Sequence, residues 1–339
     1  MTTAISAGKR KGLEAVADSR GVIAALAIDQ RGAMRSLFAK AMGEDPASVP
    51  AQMLVTFKEA VSRILTPHAS AILLDPEYGL PAAKLRAKSA GLLLAYEQSG
   101  YDKQVWGGVP RLLEGWTVRR LVEVGADSVK LLLYYSTLSY AEINFAKHEF
   151  VRRVGAECAA ADVPFFLELV SYGEGREDGS AEFAAVQPEV VARSMAEFSK
   201  PEYRVDVLKV GVPVNMSFVE GSPSAGDEIL YGREEAVDYY RRAAEQARVP
   251  FLYLSQGVSN ETFQYALELA EEAEVNFFGV LCGRATWKDG VAVFADPGLT
   301  ALEDWLHREG AQNIENVNKH LRAPQPWFAM TEEPHLEKR

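Results

Sequence analysis

Cysteine is scarce in this chain: Cys158 and Cys282 are the only two in 339 residues. Two thiols cannot build a disulfide framework, and such low usage points to a reducing compartment. Histidine is scarce too, and His68, His148, His307, His320 and His335 are scattered. None lies on an expected strand or in a ligand-like pair, so imidazole-based metal chemistry and Ser/His/Asp catalysis both lack a placed histidine. A carboxylate-only Mg²⁺ site would need no histidine, but no spacing demands one. Positive charge is in deficit, with 36 Lys and Arg against 47 Asp and Glu and a net charge of −11. That balance excludes the basic face of a nucleic-acid binder, while leaving room for a local positive pocket around a small anion. No apolar run is long enough to span a bilayer. The opening MTTAISAGKRKGLEAV has basic residues but no apolar stretch, so no signal peptide is expected. The expected location is the cytoplasm, with neither nucleic acid nor membrane as a partner.

What the chain does have is a repeated alternation. Short apolar runs occur at VIAALAID (22–29), SAILLDP (70–76), GLLLAYE (91–97), DSVKLLLYY (127–135), PFFLELVSY (164–172), VDVLKVGVP (205–213), PFLYLSQG (250–257) and FFGVLCG (277–283). Between them lie stretches with helical apolar spacing, such as AQMLVTFKEAVSRIL, FAKHEFVRRVGAECAA and NETFQYALELAEEA. GLLLAYE can be read as continuing the helical PAAKLRAKSA. Read as a strand, it completes eight βα units, the number that closes a barrel. The rival, a doubly wound open sheet, expects a Gly-rich turn after the first strand, and VIAALAID is followed by QRGAM instead. The expected class is therefore α/β, a single-domain (β/α)₈ TIM barrel with tails at about 1–15 and 325–339. Two long loops, SYGEGREDGSAEF (171–183) and NMSFVEGSPSAGDEILYG (215–232), would lie at its C-terminal mouth and are lid candidates.

Several expected strands carry charge where β-branched and apolar residues dominate. Alternation puts Asp29 on one face with Ala27 and Ala25, Lys130 with Leu132, Glu168 with Phe166, and Lys209 with Val207 and Gly211. If those faces point inward, Lys130, Glu168 and Lys209 come from three consecutive strands and can meet in one pocket. The bland reading is a buried ion-pair network. Three such groups on adjacent strands, with Asp29 beside them, favour catalysis instead. The chemistry that needs this set is Schiff-base formation. A neutral lysine amine attacks a ketone, and the resulting iminium is an electron sink for breaking the neighbouring carbon–carbon bond. Lys130 would lower the pKa of Lys209 by like-charge repulsion, and Glu168 would move protons. Such a mechanism calls for no cofactor. After the last two strands, Ser255, Gly257, Gly283 and Arg284 stand where barrels often bind phosphate. Cys282 reads as a small packed residue.

On these residues the chain resembles the class I tagatose 1,6-bisphosphate aldolases over nearly its whole length. The matching stretches are ALAIDQRGAM, AILLDPEYGLPA, GLLLAYEQSGYD, VKLLLYY, PFFLELVSY, VDVLKVGVPVNM, the LSQGVS loop and GVLCGRATW. The resemblance implies a barrel enzyme cleaving a ketose 1,6-bisphosphate to dihydroxyacetone phosphate and glyceraldehyde 3-phosphate. It implies Lys209 as the Schiff-base lysine, Glu168 as proton shuttle and Lys130 as their neighbour. It also implies Asp29, Gln30 and Arg31 as substrate-lining residues, and Ser255, Gly257, Gly283 and Arg284 as phosphate-binding ones. A phosphorylated ketose is then the small-molecule partner, and a homo-oligomer is expected. One departure stands out. The family usually has Glu two residues after the Schiff-base lysine, where this chain has Gly211, expected to make room beside the substrate. Two alternatives stay open: an aldolase for another phosphorylated ketose such as sulfofructose 1-phosphate, and a sugar-phosphate-binding regulatory protein with a compromised site.

Overall fold

The computed structural model describes residues 5–98, 108, 110–321 and 326–330. Eight parallel strands close into a barrel in chain order. They are β1 (Ile23–Ala27), β2 (Ala71–Leu74), β3 (Gly91–Ala95), β4 (Ser128–Tyr135), β5 (Phe165–Ser171), β6 (Val207–Val210), β7 (Phe251–Tyr253) and β8 (Gly279–Cys282). Each falls inside one of the expected apolar runs. GLLLAYE is β3, because the preceding helix lasts only from Leu80 to Ala83. The helix expected over AQMLVTFKEAVSRIL spans Ala51–Leu65 and buries Leu54, Phe57, Val61 and Ile64 against the barrel wall. A Ser259 side chain caps the helix Asn260–Glu272 by accepting from Thr262 N, which ends the β7 loop sharply.

Alternation along the strands divides the core in two. The wall-to-helix layer takes Leu26, Ile72, Leu94, Leu131 and Leu167. The barrel interior takes Ile23, Ala25, Ala27, Leu73, Leu93, Phe166, Val207 and Leu252. These are the faces expected to carry Asp29, Glu168 and Lys209 further along, so the apolar half of the interior supports a charged half above it.

The segment expected as an N-terminal tail is different. Ala7–Val16 forms a helix whose Leu13 and Val16 are buried in the interior cluster at the bottom of the barrel. Its close approach requires Gly12, where a Cβ would lie 2.5 Å from Pro164 Cδ. Within the expected C-terminal tail, Trp327 is 1% exposed and its backbone N–H donates to Gly21 O at 3.1 Å. Burial of Leu13, Val16 and Trp327 under the barrel explains why both segments depart from tails. Positions 325 and 331–339 lie outside the described residues, as do 99–102 of GLLLAYEQSGYD.

Both long loops sit at the mouth. The β5 loop re-enters helix at Ala181–Ala184. The β6 loop folds back on itself, with Glu220 N donating to Tyr231 O at 2.9 Å and Leu230 N to Phe218 O at 3.0 Å. Among the described residues, no helix is long and apolar enough to cross a membrane.

Candidate active site

Strand register decides which charges meet. Ala95 of β3 pairs with Lys130 of β4, and Glu168 of β5 pairs with Lys209 of β6. Lys130 Nζ stands 2.8 Å from Glu168 Oε2, and Lys209 Nζ stands 2.9 Å from the same oxygen. Glu168 therefore bridges two lysines from the strands on either side. Lys130 also lies 2.8 Å from Asp29 Oδ2 and 2.8 Å from Glu97 Oε1. Its side chain is fully buried, and Lys209 is 3% exposed.

The electrostatics follow from this packing. Burial alone would lower Lys130, but Asp29, Glu168 and Glu97 outweigh it and hold its ammonium well above the ordinary lysine range. Burial would raise Glu168 and Asp29, yet the charges of Lys130 and Lys209 outweigh it and hold both carboxyls below their ordinary range. The expectation that Lys130 acts on Lys209 as a bare like charge needs revising. Three carboxylates surround the Lys130 ammonium and offset its field.

Glu97 is the residue that sequence reasoning passed over. It continues the inward face of Leu93 and Ala95, two residues past β3, so alternation carried the signal. Its Oε2 accepts from Leu132 N at 3.0 Å and its backbone O from Arg31 Nη2 at 2.7 Å. Behind it, buried Lys58 donates to Ile28 O at 2.9 Å and pairs with Asp75, which fixes the segment leading to Asp29. Asp75 Oδ1 in turn accepts from Glu77 N at 3.0 Å and Tyr78 N at 2.8 Å. That turn presents Glu77 to Arg31 Nη1 at 2.6 Å.

Above the charged cluster opens a cavity of about 650 Å³. Asp29, Gln30, Arg31, Glu168, Ser255 and Arg284 line it. Lys130 and Lys209 lie beneath its surface, reached through Glu168. Gln30 Oε1 is buried with no hydrogen-bond partner among the described residues. Arg31 is 4% exposed, with Nη1 on Glu77 and Nη2 on the Glu97 carbonyl, while its buried Nε has no hydrogen-bond partner among the described residues.

Arg284 differs. Among the described residues its guanidinium has no carboxylate partner, and it lies over Gly257, where a Cβ would be 2.6 Å from Arg284 Cζ. Gly257 also holds φ +86, so glycine is required there twice over. Gly283 is held where β8 meets β1, because Trp287 Nε1 donates to Ala27 O at 2.9 Å and Thr286 Oγ1 to Gly283 O at 2.7 Å. Gly257 and Gly283 thus shape the rim without lining the cavity.

The space beside Gly211 is not empty, contrary to expectation. A Cβ there would lie 2.8 Å from Gln256 Cδ, so the Gln256 carboxamide rests on the Gly211 backbone. The β5 loop contributes Asp178, Gly179 and Phe183 to the cavity wall, and the β6 loop contributes Asn215 and Met216. Among the described residues, no group of three or more His, Cys, Asp or Glu is arranged to hold a metal ion.

Comparison with known proteins agrees with this geometry. Residues 23–289 match the family described as DeoC/LacD family aldolase. Tagatose 1,6-diphosphate aldolase 2 of Enterococcus faecalis is 52% identical over 320 residues, covering 94% of this chain and 95% of that protein. Tagatose 1,6-diphosphate aldolase of Staphylococcus aureus is 47% identical, covering 91% and 94%. Among solved structures, the fructose-bisphosphate aldolase of Plasmodium falciparum superposes with a TM-score of 0.64 at 14% identity, covering 97% and 96%. A Schiff-base-forming fructose-1,6-bisphosphate aldolase superposes with a TM-score of 0.53 at 16% identity, covering 90% and 96%. The closed parallel barrel and half-identity to aldolases along nearly the whole chain place this protein in the DeoC/LacD family of aldolases.

Proposed function

We propose that this chain is a class I aldolase that cleaves D-tagatose 1,6-bisphosphate, and fructose 1,6-bisphosphate with it, through a Schiff base on Lys209. The observation that carries the reading is the contact of 2.9 Å between Lys209 Nζ and Glu168 Oε2 at the floor of the cavity. An amine and a proton acceptor in direct contact are what carbinolamine chemistry requires.

Lys209 attacks the ketone at C2 as the free amine, with Glu168 accepting its proton. Glu168 returns a proton as the carbinolamine loses water, which leaves the iminium. Glu168, again a carboxylate, takes the proton of the C4 hydroxyl, the C3–C4 bond breaks, and glyceraldehyde 3-phosphate leaves. The bonding pair passes into the iminium to give an enamine. Glu168 returns that proton to C3, and addition of water to the iminium releases dihydroxyacetone phosphate and free Lys209. Lys130 holds Glu168 and Asp29 ionised in the resting site, and Arg284 with Ser255 receives a phosphate at the rim that Gly257 and Gly283 shape. Asp29, Gln30 and Arg31, which follow the neighbouring strand β1, line the same cavity. The substrate assignment draws on the named activity of relatives at about half identity over nearly the whole chain.

We place the protein in the cytoplasm, in keeping with two buried, unpaired cysteines. A homo-oligomer is favoured by exposed Tyr140 and Phe145, at 61% and 63%, which a second copy would cover. The deciding assay is retro-aldol cleavage of tagatose, fructose and sulfofructose phosphates compared by kcat/KM. Highest kcat/KM on tagatose 1,6-bisphosphate supports the proposal. A preference for sulfofructose 1-phosphate would reassign the substrate, and binding without cleavage of any of them would make the protein a sensor.

A further inference from the structure

Gly211 and Gln256 form a unit that the reaction scheme above does not use. Gly211 follows Lys209 by two residues on the same inward face, an advance of roughly 6.6 Å toward the mouth. Strand side chains lean along the strand direction, so the amine of Lys209 reaches toward that level. The volume a side chain at 211 would fill is taken by the Gln256 carboxamide, 2.8 Å from the Cβ position at its Cδ and 3.3 Å at its Oε1. Gln256 reaches across from the end of β7 because its backbone adopts φ +50, a left-handed conformation uncommon outside glycine. The residue is exposed to the cavity that it lines. Among the described residues its amide has no hydrogen-bond partner, so a donor and an acceptor stand unused at the level of the reacting carbons.

The geometry points to Gln256 as a substrate-contacting specificity residue, whose carboxamide hydrogen-bonds the C4 hydroxyl of a ketose bound through C2 to Lys209. This rests on the Schiff-base reading of Lys209. Tagatose and fructose 1,6-bisphosphates differ only in configuration at C4, so a fixed amide there reads the difference. Gly211 is the permissive half of the pair: it leaves the volume in which the amide lies.

The test uses four proteins: wild type, Gln256→Ala, Gly211→Glu and the double variant. Loss of one neutral hydrogen bond corresponds to about two- to twelvefold. Gln256→Ala should therefore change the ratio of kcat/KM for tagatose over fructose 1,6-bisphosphate by roughly that factor. Borohydride trapping with dihydroxyacetone phosphate, which has no C4, should still label Lys209 in this variant. Gly211→Glu alone should lose more activity than the double variant, because removing the amide frees the volume that Glu needs. Equal loss on both sugars, or strictly additive effects at the two positions, would overturn the inference. Absence of the dihydroxyacetone phosphate adduct in the wild type would instead remove the Lys209 reading and this inference with it.

Discussion

Replacing Lys130 with methionine keeps much of the stem and removes one ammonium that touches three carboxylates. In the native site Nζ lies 2.8 Å from each of Asp29, Glu97 and Glu168. Afterwards, among the described residues, Glu168 keeps the Lys209 ammonium at 2.9 Å, and Glu97 keeps Arg31 at 4.0 Å as its cation and Leu132 N–H at 3.0 Å as its donor. Removing one partner of a buried ion pair costs roughly 3–5 kcal/mol, because the other charge is left uncompensated. Three stranded carboxylates do not triple that cost, since proton uptake neutralises part of the excess. The pH dependence is the sharper signature. In the wild type Glu168 and Asp29 are held below their ordinary range, so their stabilisation is present above that range and lost as pH falls through their folded values. In the variant burial dominates and raises the carboxyls, so the native state binds more protons than the unfolded chain. Its stability then falls as pH rises through the carboxylate range. The gap between the two proteins, measured by urea unfolding, should widen from about pH 4 to about pH 7. A gap under about 1 kcal/mol, or one that is flat with pH, would refute the assignment of Lys130 as the group that keeps these carboxylates charged.

Glu168→Gln should lower kcat by about two to four powers of ten, the usual worth of acid–base catalysis, in steady-state cleavage assays. Arg284→Ala should raise KM for phosphorylated substrates by about one to two powers of ten, from the loss of a charge-assisted hydrogen bond of ~1.5–3 kcal/mol. An unchanged KM would move the phosphate site away from Gly257. Activity should survive EDTA, since the convergent carboxylates Asp29, Glu97 and Glu168 are engaged by Lys130; loss restored by a divalent ion would point to metal-enolate chemistry.

The barrel was legible because its strands are buried on both faces and read as near-continuous apolar runs, each followed by a helical period. The short run GLLLAYE was ambiguous for a physical reason: periodicity cannot separate four or five buried apolar residues in a strand from a turn of buried helix. The lysines and Glu168 stood out because charge inside such a run is costly. Glu97 did not, because it ends its run, where a polar residue is ordinary punctuation; only its alternation with Leu93 and Ala95 marked it. Gln256 was beyond reach of the sequence. Its placement on Gly211 depends on a left-handed backbone at the end of β7 and on the neighbouring strand, neither of which any local pattern encodes. The helix Ala7–Val16 was hidden by its basic residues, while Leu13 and Val16 carry its burial. Arg31 lines the cavity as the resemblance implies, but the engagement of its Nη1 by Glu77 and its Nη2 by the Glu97 carbonyl is a tertiary contact that no local pattern encodes.

The central claim is that Lys209 forms a covalent iminium with the ketose, and borohydride reduction followed by peptide mass spectrometry tests it most directly. Incubation with dihydroxyacetone phosphate or a ketose bisphosphate, then reduction, should leave a stable secondary amine on Lys209 and abolish activity. Glu168→Gln should form that adduct more slowly on the same lysine. A label on Lys130 or any other lysine, or none while cleavage proceeds, would contradict the account.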